Sequence, residues 1–212
     1  MRLLIAALLL AAPLAAQETT ESREAGLAAW DRIFEKVSHP RCTNCHVGES
    51  GQPMWNGLGY GADTVHGMGV LADETRIGAL STPCRTCHVT TGRANTVPHA
   101  PPHISDAWRL PPVELAWLGR SSAEICAQMR DPETNDGNDI AELAEHLRSS
   151  PFVAWGYAPG AGRSAPDGTP EDIAADVEIW GPPVRPAIDI CSCRAAPDVA
   201  CVAVSCNPGA RP

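Results

Sequence analysis

The sequence predicts an all-α protein in which the helices are separated by long loops. Apolar residues recur at helical spacing in several segments, and no segment before residue 184 alternates as a half-buried strand does. Many of the 20 prolines and 18 glycines stand between the helical segments, where they interrupt regular structure. The length of 212 residues fits one domain of ordinary size or two small ones packed together.

The first sixteen residues have the features of a secretory signal peptide. Met1-Arg2 gives a short positive start, residues 3–14 form an apolar run, and Ala15 and Ala16 are small residues ahead of a polar stretch. The run is too short to span a bilayer. We therefore expect cleavage after Ala16 and export to the periplasm with no membrane anchor. Retention of the run as an uncleaved anchor is the alternative.

The chain is acidic, with 16 Lys and Arg against 25 Asp and Glu and a formal net charge of −9. Nucleic-acid binding rests on neutralising phosphates with Lys and Arg, so this charge argues against a nucleic-acid partner. An acidic surface is suited to steering a basic protein partner, and such association weakens as salt is added.

Two C-x-x-C-H motifs, at 42–46 and 84–88, carry the chemistry that the sequence predicts. This spacing is the attachment signature of c-type haem, because two thiols three positions apart can reach both vinyl groups of one porphyrin. The attachment cysteines are Cys42, Cys45, Cys84 and Cys87. The next residue of each motif, His46 or His88, is then placed under the iron as its proximal ligand. We expect two covalently attached haem c groups.

Two other kinds of site share part of this spacing. A thioredoxin-like redox pair uses C-x-x-C within a βαβ surround, which the sequence does not show. A Cys₄ zinc site would use both pairs, but it does not require the histidine that follows each of them. Haem also explains how a chain with 5% aromatic residues fills its interior, since porphyrins are large apolar bodies. Residues 17–181 are therefore predicted to form a cytochrome c-like dihaem domain.

A first helix is predicted over 21–37, immediately before the first motif, and His39-Pro40 ends it. Its inward face has the spacing i, i+3, i+7 and i+10 and consists of Leu27, Trp30, Phe34 and Val37. Segment 47–83, rich in glycine, is predicted to be a long loop that wraps haem and delivers ligands, and segment 89–112, rich in proline, is predicted to be a second irregular stretch. A helix that leads into C-x-x-C-H is the layout with which many small cytochromes c begin.

Four further helices are predicted after residue 111. A short one spans 112–118 between a proline and a glycine, and a capping box at Ser121 opens a second one that runs to about residue 130. The third spans 139–149, and the last spans 169–180. Their inward residues are Ile140, Leu143, Ala144 and Leu147 in the third helix and Ile173, Val177 and Trp180 in the last. Residues 131–137 resemble a calcium loop faintly, but the glycine falls one position late, so we predict a turn.

The distal ligands, which close the irons opposite the proximal histidines, are expected to be His or Met in an electron carrier. The favoured pair is His66 and Met68, which stand two residues apart in the glycine-rich loop. They serve two irons, or one binds iron while the other packs. His99 and His103, in the proline-rich loop, are weaker candidates, as is Met129, for which core packing is at least as good an explanation.

Three further residues have a ligand's chemistry but a less suitable position. His39 lies three residues before the first motif and suits a surface or capping role. His146 lies on the polar side of its predicted helix, where solvation is expected, and Met54 lies in the glycine-rich loop.

Segment 114–121, together with Met129-Arg130-Asp131-Pro132 and the stretch 155–163 (WGYAPGAGR), resembles a group of exported dihaem cytochromes. These proteins are known as a subunit of isoquinoline 1-oxidoreductase, and the similarity covers residues from about 30 to 181. The resemblance implies that the partner is an exported molybdenum hydroxylase of the xanthine dehydrogenase type, whose electrons the cytochrome takes. It also favours His66 and Met68 over Met129 as distal ligands, and it does not extend to the tail.

Five cysteines remain, so at least one of them is free, intermolecular or otherwise modified. They are Cys126, Cys191, Cys193, Cys201 and Cys206. In an oxidising compartment the natural interpretation of the four in the tail, 182–212, is a pair of disulfides, for which three connectivities exist. A disordered tail and a metal site are alternatives. Cys126, on a buried helix face, is interpreted as a structural thiol.

The expected function is electron transfer rather than catalysis. The sequence shows no nucleophile–base arrangement and no paired carboxylates placed for acid–base work. Trp55, Trp108 and Trp155 are interpreted as haem-stacking residues or as ordinary packing. Two alternatives need an open iron: a dihaem peroxidase-like enzyme, and a haem sensor or ligand-binding protein.

Overall fold

The computed structural model describes residues 12–61, 63–79, 82–95 and 97–181. This part of the chain is mostly helical, which confirms the predicted class in its coarse form. Its helices are α1 (Ala12–Val37), α2 (Pro40–Thr43), α3 (Ser122–Arg130), α4 (Ile140–Ser149), α5 (Pro151–Tyr157) and α6 (Pro170–Trp180). Most of the predicted signal peptide and the whole tail, with Cys191, Cys193, Cys201 and Cys206, lie outside the described residues.

The hydrophobic core lies between α1, α3, α4 and α6. Trp30 of α1 and Trp180 of α6 are fully buried and lie with their ring centroids 5.1 Å apart. The Trp30 indole N–H donates to Ser122 Oγ at 2.8 Å, which ties α1 to the start of α3. The buried residues of this core are Ala29, Trp30, Ile33, Val37, Trp117, Ile125, Cys126, Met129, Ala144, Leu147, Ile173, Ala174, Val177 and Trp180. Burial of this apolar surface is the main stabilising contribution to the fold.

A buried carboxylate joins α1 and α6 beside this core. Asp176 Oδ1 accepts hydrogen bonds from Nη2 and Nε of Arg32 at 2.6 and 2.9 Å. Its other oxygen lies 3.5 Å from Nζ of Lys36, one turn further along α1. A buried carboxylate is costly unless it is paired, and Arg32 and Lys36 supply the partners of Asp176.

Capping residues set the starts of three helices. Ser121, Asp139 and Thr169 are the N-caps of α3, α4 and α6, and each forms a capping box with the residue three positions later. The inward faces predicted for α1, α4 and α6 are buried or packed against the core. The predicted turn at 131–137 is also confirmed.

The structure corrects three predictions of secondary structure. The expected helix at 112–118 is absent, because the backbone N–H groups of Trp117 and Leu118 donate to the carbonyl of His46 instead of forming a helical ladder. Helix α5 was not expected, although it begins at the proline that was predicted to end α4. Helix α1 begins at Ala12, nine residues before the predicted start.

Irregular chain between Asn44 and Arg120 forms the side of the molecule that carries both motifs. Short regular segments occur within this irregular chain. They are the antiparallel strands β1 (Gly78–Ala79) and β2 (Thr82–Pro83) and the 3₁₀ turns Gly67–Gly69 and Cys84–Thr86. The two predicted loops are thus mainly irregular, with a two-stranded pairing that the sequence did not predict. No helix in the described part of the chain has the length and apolar character needed to cross a membrane.

Candidate functional site

The first C-x-x-C-H motif starts within the short helix α2, directly after α1 ends. His39 caps α2, with its Nδ1 accepting a hydrogen bond from the backbone N–H of Arg41 at 3.1 Å. This confirms the capping role expected for His39. The backbone N–H of His46 donates to the carbonyl of Cys42 at 3.1 Å, which continues the turn through the motif. The turn places both cysteines and the histidine next to the core.

The His46 ring is held in one orientation by two contacts. Its Nδ1 lies 2.9 Å from the carbonyl oxygen of Leu115, and its face stacks on Trp117 with centroids 3.5 Å apart and ring planes 1° apart. Because a carbonyl oxygen only accepts, Nδ1 carries the proton and the lone pair stands on Nε2. Burial lowers the pKa of His46 to about 3, so the ring is neutral at pH 7.

The second motif forms the same kinds of contact as the first, but with different residues. The turn Cys84–Thr86 follows β2, and the Cys84 N–H donates to the carbonyl of Ile77 at 3.0 Å. His88 Nδ1 lies 3.2 Å from the carbonyl oxygen of Pro102, and the ring stacks on Trp108 with centroids 4.4 Å apart and planes 15° apart. Burial lowers the pKa of His88 to about 4.

Both motif histidines therefore have the arrangement of a metal-binding imidazole. Histidines that bind metals almost always donate their other ring N–H to a carbonyl, carboxylate or water, which fixes the tautomer and raises ligand basicity. His46 and His88 each do so toward a backbone carbonyl, and each is braced by a tryptophan face. The carbonyl partner lies 69 residues along the chain from His46 but only 14 residues from His88. The fold therefore forms the same contact twice through different connections.

The four motif cysteines are free thiols. Burial raises the pKa of Cys42 to about 12 and that of Cys45 to about 11, so both are protonated at neutral pH. Burial followed by the charge of Asp73 raises the pKa of Cys84, and Cys87 is exposed. Raised pKa values disfavour the thiolate form on which a thioredoxin-like pair depends.

His66 is the predicted distal ligand that the structure brings to a motif histidine. Its ring centroid lies 5.9 Å from that of His88, and its Nδ1 lies 2.8 Å from the carbonyl oxygen of Gly67, so Nε2 again carries the lone pair. Pairing of two short segments places it there: the His66 N–H donates to Pro53 O at 2.9 Å, and the Trp55 N–H to Thr64 O at 2.6 Å. An imidazole–metal bond is about 2 Å long, and the ring centre lies about 1 Å beyond the nitrogen, so rings on opposite sides of one ion lie about 6 Å apart.

The other favoured candidates are placed differently. Met68 has a positive φ of 66° and is 95% exposed, so its side chain points away from the packed part of the loop. Met129 is 1% exposed and belongs to the helical core, as the core interpretation expected. His99 Nδ1 is 2.7 Å from the hydroxyl of Tyr60. His103 lies close enough to His88 for its charge to lower the pKa of that ring, after burial and His66.

The structure also places the less suitable candidates and Cys126. Met54 is half-buried and pairs with Val65 next to His66. His146 is exposed on α4, as predicted, and its charge lowers the pKa of His46 after the larger effect of burial. Cys126 is buried, as expected, but it is in a disulfide, which corrects its interpretation as a thiol.

An aromatic cluster surrounds His88 and includes the three tryptophans singled out in the sequence. Trp108 stacks on His88 and meets Trp155 edge to face at 5.5 Å. Trp55 lies 5.4 Å from the His66 ring and packs on the backbone of Gly67, where a Cβ would come within 2.4 Å of the indole. Glycine is required at this position because the indole occupies the space of a side chain.

Three arginines near the motifs were missed by sequence reasoning, since an isolated arginine in a loop carries no signal. They are Arg41, Arg76 and Arg163. Arg76 donates to the backbone carbonyls of Val47 at 2.7 Å and Pro111 at 2.9 Å, and so joins the end of the first motif to the chain that follows the second. Each of the three bonds to backbone carbonyls, and none forms an ion pair within the described residues.

The residues present fit a covalently attached porphyrin at each motif. Each motif supplies two free thiols and one neutral imidazole with its Nε2 lone pair uncommitted. The chain around the second motif also presents large apolar side chains to solvent, a surface that a flat apolar group would cover. They are Tyr60, Val65, Leu71, Ile77, Val89 and Val97. Comparison of the chain with known protein families, curated proteins and solved structures finds no match.

Proposed function

We propose that this chain is an exported dihaem c-type cytochrome with a cytochrome c-like dihaem domain, and that it transfers electrons. The observation that carries the proposal is the repeated construction of the two motifs. In both, a C-x-x-C pair precedes a histidine whose Nδ1–H is bonded to a backbone carbonyl and whose face rests on a tryptophan. A bare C-x-x-C pair needs neither feature, whereas an axial imidazole needs both its tautomer and its orientation fixed.

The chain's own residues divide into attachment, ligation and support. The four motif thiols would hold two haem c groups through covalent bonds, and His46 and His88 would be the proximal ligands. Each bound haem supplies an iron that is reduced and reoxidised by one electron. Leu115 and Pro102 hold the two imidazoles through their carbonyls, and Trp117 and Trp108 prevent the rings from turning.

His66 would be the distal ligand at the second motif. Its Nδ1 bond to Gly67 leaves Nε2 for a metal, and its ring is separated from His88 by about the distance that two axial imidazoles require. Met68, His99, His103 and Met129 remain predictions as ligands for either iron. With both axial positions held by the protein, a haem carries electrons and does not bind a substrate.

Electron transfer between the two sites is part of this proposal, and interactions between the two motifs support it. The charge of Cys84 in the second motif raises the pKa of Cys45 in the first, after the larger effect of burial. A chain of ring contacts also runs from His88 through Trp108 to Trp155, and Arg41, next to the first motif, lies over the Trp155 ring at 5.8 Å. These contacts support an electron path through the protein rather than two isolated centres.

For the electron donor we propose an exported molybdenum hydroxylase of the xanthine dehydrogenase type. This choice rests on the sequence resemblance alone. The acidic surface expected from the net charge of −9 would attract a basic face of that partner, so association should slow as salt is added. A downstream acceptor completes the transfer.

The proposal is tested by the visible spectrum of the pure reduced protein with and without carbon monoxide. We expect a c-type haem spectrum that carbon monoxide leaves unchanged, because protein ligands close both irons. A protein without bound haem contradicts the proposal. Binding of the gas at one haem favours the alternative, a dihaem peroxidase-like enzyme or a gas sensor, and peroxide turnover then separates these two.

A further inference from the structure

Cys126 forms a disulfide whose partner lies outside the described residues. The chain has nine cysteines, and the four in the motifs are free thiols, so none of those four is bonded to Cys126. The other cysteines all belong to the tail, and they are Cys191, Cys193, Cys201 and Cys206. Within one chain, the partner of Cys126 is therefore a tail cysteine.

The chain enters the tail beside the helix that carries Cys126. Nη2 of Arg130, in α3, donates to the carbonyl of Trp180 at 2.7 Å, and the guanidinium lies 4.3 Å from the centroid of the Trp180 ring. Trp180 is the last residue of α6, and Gly181 follows it as the C-cap. Cys126 precedes Arg130 by four residues in α3, and side chains at this spacing lie on the same face of a helix. The tail thus begins next to the face of α3 on which Cys126 lies.

Gly181 is closely packed at the point where the tail begins. Its N–H donates to the carbonyl of Val177 at 2.8 Å, which continues the helical hydrogen bonding of α6. A Cβ built on Gly181 would overlap with the side chain of Ile140, at the start of α4. Because glycine has no side chain, the backbone can run directly against α4 here. The starting point of the tail is therefore fixed against the helical core.

The tail cysteines form two pairs at different distances along the chain from this starting point. The nearer pair, Cys191 and Cys193, stands ten and twelve residues beyond Gly181, and the farther pair, Cys201 and Cys206, twenty and twenty-five. Ten extended residues span up to about 35 Å, so chain length excludes none of the four. The entropic cost of closing a loop grows with its length, which favours the nearer pair.

We infer that Cys126 is joined to Cys191 or Cys193, and that this disulfide docks the tail on the end of the helical core where α3 meets α6. A disulfide holds its two Cα atoms about 4.4–6.8 Å apart. Because Cys126 is fully buried, the tail residues around its partner lie against α3. The occupant of this surface is thus a segment of the same chain. The disulfide depends on the oxidising compartment that the proposed export provides, and it does not depend on haem.

Formation of this bond oxidises one thiol of α3 and one of the tail. Each thiol gives up a proton and an electron as the S–S bond forms. A disulfide of an oxidising exchange partner accepts both electrons and both protons and is reduced to two thiols. Three tail cysteines then remain, and only two of them can pair with each other. The two disulfides that the sequence suggests within the tail therefore cannot both form.

Trypsin, which cuts after Lys and Arg but not before Pro, places these cysteines on three peptides. Cys126 is on peptide 121–130, the nearer pair is on 164–194, and the farther pair is on 195–212. The full-length exported protein is alkylated without reduction, digested without reductant and analysed by mass spectrometry. The variant Cys201→Ser/Cys206→Ser is analysed in the same way, because it removes any link that passes through the farther pair.

In wild type we expect peptide 121–130 to be cross-linked to 164–194, to carry no alkylated cysteine and to be released by reductant. The variant Cys201→Ser/Cys206→Ser should keep this cross-link. An alkylated Cys126 in wild type, or loss of the cross-link in this variant, overturns the inference. Both samples retain Cys126 and the nearer pair, so the test does not depend on a variant that disturbs α3.

Thermal unfolding tests whether the cross-linked tail is docked on the core. Cys191→Ser/Cys193→Ser should lower the unfolding midpoint by about 5–10 °C, because the unfolded chain loses a constraint between α3 and the tail. The matched variant Cys201→Ser/Cys206→Ser, which also removes two tail thiols, should lower it less. Equal midpoints for the two variants overturn the docking. Haem content is measured on the same samples, and absence of haem from wild type contradicts the proposed function while leaving the result for Cys126 unaffected.

Discussion

Replacement of His66 by alanine should open one of the two irons. The ring of His66 lies 5.9 Å from that of His88, and two imidazoles bound to one ion are expected at about 6 Å. This separation of the ring centres supports His66 and His88 as ligands of one iron. Loss of this ring removes the distal ligand at the second motif and leaves the ligands of the first motif in place. The expected stoichiometry is one carbon monoxide bound per protein, or half of the haems.

The assay is titration of the reduced His66→Ala protein with carbon monoxide, followed by visible absorption. His146→Ala is the matched control, because this histidine is exposed on α4. His103→Ala tests the other candidate in the loop that supports His88. Wild type and His146→Ala should bind no gas. If His66→Ala leaves the spectrum unchanged, or if His103→Ala opens the iron instead, the assignment of His66 as distal ligand is wrong.

Three further predictions concern stability and its pH dependence. Trp117→Ala should lower the free energy of unfolding by about 3–5 kcal/mol, because it removes a buried ring that packs on both His46 and the core; denaturant unfolding measures this. Asp176→Asn should cost about 2 kcal/mol by leaving Lys36 and the half-exposed Arg32 without their carboxylate, whereas Glu178→Gln, at an exposed pair, should cost less than about 0.5 kcal/mol in the same assay. Hydrogen bonds from Ser121 and Arg120 lower the pKa of Glu124 from 4.5 to about 2. Since the folded-state pKa is lowered, Glu124 stabilises the start of α3 above pH 4.5, and this stabilisation is lost as pH falls toward 2, so acid unfolding curves of wild type and Glu124→Gln should converge there.

The helical half of the fold was predictable because its signals are local. Ser121, Asp139 and Thr169 each satisfy the free N–H groups of a helix start within four residues of sequence, and the structure places caps at all three. The failed helix at 112–118 shows the limit of such signals. Pro112 and Gly119 bound a plausible helix, but the N–H groups of Trp117 and Leu118 bind the carbonyl of His46, about seventy residues earlier. No local pattern reports a partner so distant.

The two motifs could also be predicted from the sequence, but the residues that hold their histidines in place could not. The spacing of 42–46 and 84–88 is visible in the sequence, whereas Leu115 and Pro102 contribute only backbone carbonyls, which any residue possesses. Arg41 and Arg163 were missed for a related reason: each donates to a backbone carbonyl that is distant in sequence, Asn56 for Arg41 and Ala100 for Arg163. His66 was predicted from its chemistry and its position in the glycine-rich loop. The hydrogen bonds between its segment and Pro53–Trp55, which place it near His88, could not be predicted from the sequence.

The intact mass of the purified exported protein under denaturing conditions tests the central claim most directly. Covalent attachment survives denaturation, so we expect the mature chain plus two haem masses. The variant Cys42→Ala/Cys45→Ala and the variant Cys84→Ala/Cys87→Ala should each carry one haem mass. A wild-type mass equal to the bare chain, or a bound haem that dissociates on denaturation, would contradict the assignment of 42–46 and 84–88 as haem attachment motifs.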